Sequence, residues 1–323
     1  MISPTTNMIT ILGPTASGKT KIATGLAYRI NGEIISADSR QVYREMNIGT
    51  GKDFDDYIVH NKKIPVHLID IADPGTEFSV YQYQNEFLSA YQKITLSGNV
   101  PILCGGTGLY LEAVLKGYKL VDVPVNSQLR EHLQGKSLEE LVIILSGMRK
   151  LHNATDSNDI NRVLRAIEIE HYNINNPNLK NDFPKINSRV IGIHMERNLL
   201  RQKITQRLKR RFEQGMIDEV KELLGKGISS NQLKNYGLEY KFLTMFLQGE
   251  LKYNEMFSLL NTAIHQFAKR QMTWFRRMEK NGFKIHWVDG NSGGDKILST
   301  ILKIIQQETV FLGNKVPNFT NLY

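Results

Sequence analysis

Residues 13–20 read Gly-Pro-Thr-Ala-Ser-Gly-Lys-Thr, directly after the apolar run Met8-Ile-Thr-Ile-Leu12. This is the pattern glycine, four residues, glycine, lysine, then serine or threonine, in the strand–loop–helix setting it requires. It constrains the fold because such a loop works only where a buried strand delivers it to the start of a helix. Gly13 and Gly18 let the backbone turn its N–H groups inward, and the helix N-terminus adds partial positive charge. An anion cradled by Pro14, Thr15, Ala16 and Ser17 would meet the Lys19 ammonium, with the Thr20 hydroxyl available to Mg²⁺. Phosphate binding is the expectation, but the loop leaves the reaction open. Kinases and NTPases bring a nucleophile to phosphorus. The same cradle can hold a diphosphate that departs from carbon.

The remaining pattern suits parallel strands. Spacing predicts a helix from Lys19 to Ile30, strands at Glu33–Ala37 and Val66–Ile71, and a helix over Val80–Leu96. Pro101–Cys104 is another apolar strand, running into Gly105-Gly-Thr-Gly108 and a further helix. Strands alternating with helices argue for an α/β fold, a P-loop NTPase-like doubly wound parallel sheet. Ligands of such sheets gather at the carboxyl ends of strands, where both glycine-rich turns and Asp38-Ser39 fall.

From residue 117 to 188 helical patterns dominate (Leu138–Leu151, Ile160–Tyr172), followed by a polar stretch with Pro177 and Pro184. The expected organisation is a discontinuous catalytic core, residues 1–116 and 189–290, interrupted by a mostly helical insertion at 117–188. A strand at Arg189–His194, long helices at Asn198–Leu224 and Tyr253–Met278, and a strand at Lys284–Val288 complete the core. A tail from residue 291 carries one helical pattern, Lys296–Gln307.

No apolar run approaches the roughly 20 residues that span a bilayer, and the first residues lack a secretory pattern. A soluble, cytoplasmic protein without membrane partners is expected. The single cysteine, Cys104, excludes an internal disulfide and a cysteine-built zinc site, and reads as a small buried hydrophobe. The formal charge of +9 is concentrated. Arg197, Arg201, Lys203, Arg207, Lys209, Arg210 and Arg211 form one basic run; Lys269, Arg270, Arg276, Arg277 and Lys280 surround Trp274 and Phe275. Cations interleaved with aromatics suit phosphates and unstacked bases. A solvated helix face beside a core tryptophan reads equally well.

Asp38, just after the second strand, opens toward the glycine-rich loop as a general base or Mg²⁺ partner. An Asx turn that starts a helix is the plainer reading. Thr107 would bring its hydroxyl into the same cleft, unless glycines 105–108 serve only a tight turn.

With these residues in view, the chain resembles the tRNA dimethylallyltransferases, of bacterial type, from Ile9 to about Val288. The resemblance rests on residues 13–20, Ser36-Ala-Asp-Ser-Arg-Gln-Val-Tyr43, Met46-Asn-Ile-Gly-Thr50, His67-Leu-Ile-Asp70 and Gly105-Gly-Thr-Gly-Leu-Tyr110. It continues through Asn158-Asp-Ile-Asn-Arg-Val-Leu-Arg-Ala-Ile-Glu168 and Ala268-Lys-Arg-Gln-Met-Thr-Trp-Phe-Arg276. It implies transfer of dimethylallyl from its diphosphate to the N6 amine of the adenosine 3′-adjacent to the anticodon, in tRNAs reading codons that begin with U. It also implies Mg²⁺ as cofactor, with Asp38 as the base and Thr15–Thr20 as diphosphate ligands. Arg207 contacts the pyrophosphate. Ser39, Arg40, Gln41, Thr107 and the run Asn161, Arg162, Val163, Leu164, Arg165 contact the tRNA anticodon stem-loop. A monomer is expected.

One block departs from the family. Where many members carry Gly-Tyr-Arg, this chain has Gly237-Leu-Glu239, placing an acid where a cationic tRNA contact is expected. Lys234 or Lys241 would then supply the missing contact. Gly51 and Asp53 replace a small residue and a proline, which reads as a minor loop change. Alternatives are an adenylate isopentenyltransferase acting on free AMP, a small-molecule kinase, and a non-catalytic RNA-binding protein.

Overall fold

The computed structural model describes residues 6–149, 159–177, 179 and 183–308. It divides into two compact units, Met1–Gly117 with Lys185–Tyr323 and Tyr118–Pro184.

In the first unit the strands are β1 (Met8–Leu12), β2 (Gly32–Ala37), β3 (Ile58–Val59), β4 (Lys62–Lys63), β5 (Val66–His67), β6 (Val100–Gly105), β7 (Ser188–His194) and β8 (Ile285–Asp289). Among the described residues, six of them form one sheet in the order β5-β2-β6-β1-β7-β8. Every pairing in it is parallel. β1 is buried along its whole length, as a strand covered on both faces must be. Register aligns the strand ends: Leu12 lies opposite Gly105 and Gly192, and Ala37 opposite Gly105. The loops that follow β1, β2 and β6 therefore emerge at one edge.

Helices α1 (Lys19–Ile30), α2 (Val80–Leu96) and α3 (Gly108–Leu115) cross between these strands. Ser79 and Gln82 form a reciprocal capping box that starts α2. The expected strand Val66–Ile71 stops after His67, because Leu68 and Asp70 take positive φ (66° and 57°). That turn carries the Asp70 carboxylate to Lys52 at 2.5 Å.

The second unit contains α4 (Ser127–Leu133), α5 (Leu138–Met148) and α6 (Ile160–Asn175). Leu133, Leu141, Leu145, Val163 and Ile167 make its buried core.

The first unit resumes with α7 (Arg197–Glu213), α8 (Met216–Gly225), α9 (Ser230–Leu233), α10 (Leu238–Leu247), α11 (Tyr253–Lys280) and α12 (Gly294–Glu308). The single helix expected over Asn198–Leu224 is two, since the chain turns at Gly215 with φ 92°. The tail beyond residue 290 supplies α12, whose Ile297, Leu298, Ile301 and Ile305 are buried in one cluster with Ile22 and Leu26 of α1.

Candidate active site at the carboxyl edge of the sheet

β1 delivers Gly13 into a tight passage: a Cβ there would lie 2.8 Å from Ser17 Oγ and 3.1 Å from the Ile193 carbonyl. Ala16 then takes φ 62° and Gly18 φ 80°. A left-handed alanine is strained backbone of the kind kept where a loop has work to do. Gly18 caps α1 without any side-chain hydrogen bond, so no side chain competes for the amides of its first turn. Ser17 Oγ is buried and has no partner. Lys19 bends back over the loop and donates to the Pro14 carbonyl at 3.4 Å. Burial lowers its pKa; Cys104 and the Asp38 carboxylate oppose that shift, and Arg207 adds to it. These four groups thus share one electrostatic environment.

Asp38 follows the last residue of β2. Its Oδ1 accepts the Arg40 backbone N–H at 2.9 Å, the Asx turn of the plainer reading. Thr107 Oγ1 accepts the Ser39 N–H at 3.0 Å, while the Thr107 N–H donates to the Ala37 carbonyl at 3.1 Å. The turns after β2 and β6 are therefore stitched together around Asp38 and Thr107. Gln41 donates to the Gly51 carbonyl at 3.0 Å, joining this turn to the 46–53 loop.

That loop is held by a residue the sequence did not single out. Glu219 of α8 accepts the backbone N–H groups of Asn47, Ile48 and Gly49 at 2.8, 2.7 and 2.9 Å, and the Tyr240 hydroxyl at 2.7 Å. Lys52, fully buried, donates to the Tyr43 carbonyl and pairs with Asp70. Burial lowers the Lys52 pKa, opposed by Asp70.

Arg207 points from α7 toward the loop. Burial and the neighbouring Arg211 push its pKa down to about 10, against Asp53, Glu239 and Asp38. Both guanidinium groups pack on Gly51, where a Cβ would crowd Arg207 and Arg211 Nη2. Glu239 lies 3.5 Å from Arg211 Nη1, which gives the unexpected acid a partner inside the protein.

A second unforeseen residue is Gln271 on α11, buried at 7% exposure. It accepts the Thr15 N–H at 2.8 Å and donates to the Gly106 carbonyl at 2.9 Å, bridging the two glycine-rich turns. A side chain on Gly106 would strike that carboxamide, and one on Gly108 would strike Trp274. The glycines of this turn thus admit the protein's own groups.

The model of one known family, described as IPP transferase, matches residues 41–278. The chain belongs to the IPP transferase family. A tRNA dimethylallyltransferase 2 of Bacteroides fragilis is 57% identical over 90% of this chain and 94% of its own. A tRNA dimethylallyltransferase 1 of Porphyromonas gingivalis is 55% identical over 92% of this chain and 98% of its own. The crystal structure of a full-length tRNA isopentenylpyrophosphate transferase from Bacillus halodurans is 34% identical, with TM-score 0.68 over 94% of this chain and 96% of that one. A eukaryotic dimethylallyltransferase shares the fold at 23% identity, TM-score 0.76, over 97% of this chain and 82% of that one.

As a member of the IPP transferase family, the chain brings Lys19, Asp38, Thr107 and Arg207 to one edge of its sheet. Other expected contacts have different surroundings. In the second unit Asn161 and Arg162 are exposed, Val163 is core, Leu164 packs on that core, and Arg165 is spent on Glu168 and the Val123 carbonyl. Lys234 pairs with Glu250 at 2.6 Å. Trp274 lies under the Arg277 guanidinium at 3.9 Å, so this aromatic is packed by the chain itself. Cys104 is buried, with its thiol pushed up to about 12, and is inert.

For Mg²⁺, no group of three His, Cys, Asp or Glu is arranged to hold a metal among the described residues. The donor set at Thr20 fits an ion carried mainly by phosphate oxygens and water, which needs no such group. No helix among the described residues is long and apolar enough to cross a membrane.

Proposed function

We propose that the chain transfers dimethylallyl from dimethylallyl diphosphate to the N6 amine of the adenosine 3′-adjacent to the anticodon of tRNA, in tRNAs reading codons that begin with U, and releases diphosphate. The observation that carries this reading is a carboxylate, Asp38, sharing one electrostatic environment with Lys19 and Arg207 beside a phosphate loop. Phosphoryl transfer to a hydroxyl uses the same cations and often a carboxylate as well; the relatives' names support alkyl transfer to an amine in preference to it.

The N6 lone pair is delocalised into the adenine ring, so the amine attacks poorly unless its proton is withdrawn as the carbon–nitrogen bond forms. With Oδ1 fixed by the Arg40 N–H, the other oxygen of Asp38 takes that proton, a gain of about 10²–10⁴-fold. The carbon–oxygen bond to diphosphate breaks in the same step. Lys19, Arg207 and the loop amides stabilise the charge that grows on the leaving group. Mg²⁺, held by Thr20 and the diphosphate oxygens when bound, adds positive charge there. The relatives' names support tRNA as acceptor, and a base already in a single-stranded loop costs only a few kcal/mol to extrude. Ser39, Arg40, Gln41, Thr107 and the exposed Asn161 and Arg162 serve the tRNA, with Arg165, Lys234 and the α6 backbone at Val163 and Leu164 supporting them. The chain works in the cytoplasm as a monomer.

The test is incubation with dimethylallyl diphosphate, Mg²⁺ and either unmodified tRNA or AMP, read by mass spectrometry. Prenylated adenosine next to the anticodon is the expected product. Prenylated AMP with untouched tRNA would replace this reading by an adenylate isopentenyltransferase, and ATP turnover alone would replace it by a kinase.

A further inference from the structure

Of the cations along α7, Arg197, Arg201, Lys203, Lys209 and Arg210 are exposed, whereas Arg207 and Arg211 turn inward. They stand four residues apart, on one helix face. A Cβ on Gly51 would lie 2.7 Å from Arg207 Nη2 and nearer still to Arg211 Nη2, so both guanidinium groups converge on one backbone point. Gly51 itself takes φ 71°.

Arg211 is 4% exposed, and its Nε and Nη2 have no hydrogen-bond partner. Glu239 meets only Nη1, at the long distance of 3.5 Å. Each buried, unpaired N–H costs about 1–3 kcal/mol, more when charged. Two cations side by side away from water also repel. Packing gives no return for this arrangement; an anion reaching both groups would. Arginine suits that role because its planar fork matches phosphate oxygens.

We propose that Arg211 is a second diphosphate-binding residue, forming with Arg207 a paired guanidinium clamp across Gly51. Its Nε and Nη2 edge serves a phosphate oxygen, and Glu239 orients the group through Nη1. The proposal rests on the reading that diphosphate occupies the glycine-rich loop. It gives Glu239 a purpose, since an acid here steadies a buried arginine and has no need to face RNA phosphate.

The experiment measures binding of magnesium pyrophosphate, without tRNA, by calorimetry and by ligand-induced thermal stabilisation. The proteins are wild type, Arg207→Ala, Arg211→Met, Arg211→Lys and the reversed pair Arg211→Glu with Glu239→Arg. Loss of the fork should weaken pyrophosphate binding about 10-fold or more in Arg211→Met, and less in Arg211→Lys. The reversed pair should keep the ion pair and the wild-type melting temperature yet bind pyrophosphate as weakly as Arg211→Met. Should Arg211→Met not fold, Arg211→Lys and the reversed pair decide the question. Anticodon stem-loop affinity should be unchanged in all of them. Wild-type pyrophosphate binding by the Arg211 variants overturns the proposal alone, as does loss of stem-loop binding with pyrophosphate binding intact. No pyrophosphate binding by the wild type overturns the diphosphate reading and this proposal with it.

Discussion

The side-chain carbonyl of Gln271 accepts a 2.8 Å hydrogen bond from the backbone N–H of Thr15, across 256 residues of sequence. Its NH₂ group donates to the Gly106 carbonyl at 2.9 Å, so one amide sets the spacing between the glycine-rich loop and the turn that carries Thr107. Glutamate at this position would keep the acceptor and lose the donor. It would also place negative charge against the glycine-rich loop that we propose holds diphosphate. Gln271→Glu should therefore raise KM for dimethylallyl diphosphate at least about 10-fold and destabilise the protein by about 1–3 kcal/mol through the orphaned Gly106 carbonyl. Steady-state kinetics at saturating tRNA, with thermal melting, check both. An unchanged KM would confine Gln271 to packing.

Asp38 Oδ1 makes the Asx turn of the plainer reading, and the other oxygen is the one we propose as the base. Asparagine can still accept the Arg40 N–H through its side-chain oxygen, so the turn survives. What is lost is the proposed base. Asp38→Asn should cut the single-turnover rate by about 10²–10⁴-fold while stem-loop affinity stays within a few-fold. Filter binding and rapid-quench measurements separate the two. Full turnover would remove Asp38 from the chemistry.

Glu219 holds three consecutive amides and a tyrosine hydroxyl with two oxygens, each oxygen taking two donors. Glutamine must aim an NH₂ group at donors whichever way it is turned. Glu219→Gln should destabilise the first unit by about 3 kcal/mol, the scale of losing charge-assisted bonds. It should also weaken pyrophosphate binding, because the freed loop carries Gly51 to both arginines. Denaturant melts and pyrophosphate titration give the two numbers.

These relationships explain what was readable beforehand. The loop at 13–20, Asp38 and Thr107 follow strands whose apolar runs are continuous, so sequence order alone put them at the sheet's carboxyl edge. Val163, expected against the tRNA, instead lies with Ile167 in the core of the second unit, because the two stand four apart on one face of α6. Gln271 and Glu219 were hidden because their partners are distant backbone amides, which leave no periodicity. Arg207 and Arg211 sat in a run of like charges, and only the turn of α7 separates the inward-facing pair from the exposed remainder. The strand expected at Val66–Ile71 has the right residues, but Leu68 and Asp70 are left-handed, so the strand ends at His67 and the turn carries Asp70 to Lys52.

Glu168 joins α4 to α6 in the second unit, and its side chain is 1% exposed. It accepts from Arg130 at 2.7 and 3.0 Å, from Arg165 at 3.0 Å and from the Asn126 N–H at 3.0 Å. Burial raises its pKa, but hydrogen bonds from Arg130, Arg165 and Asn126 outweigh that and hold it below the ordinary carboxylate value. A folded pKa below the unfolded one means that the stabilisation is complete above the unfolded value, about 4.3. It is lost as pH falls through the folded value. Hydrogen exchange of the α4 and α6 amides in the full chain should show protection at pH 6 that declines as pH falls below the unfolded value, about 4.3. Glu168→Gln keeps the shape and loses the charge. Its protection at pH 6 should already be low, and acid should reduce it little further. Equal acid sensitivity in the two proteins would assign the transition to another carboxylate.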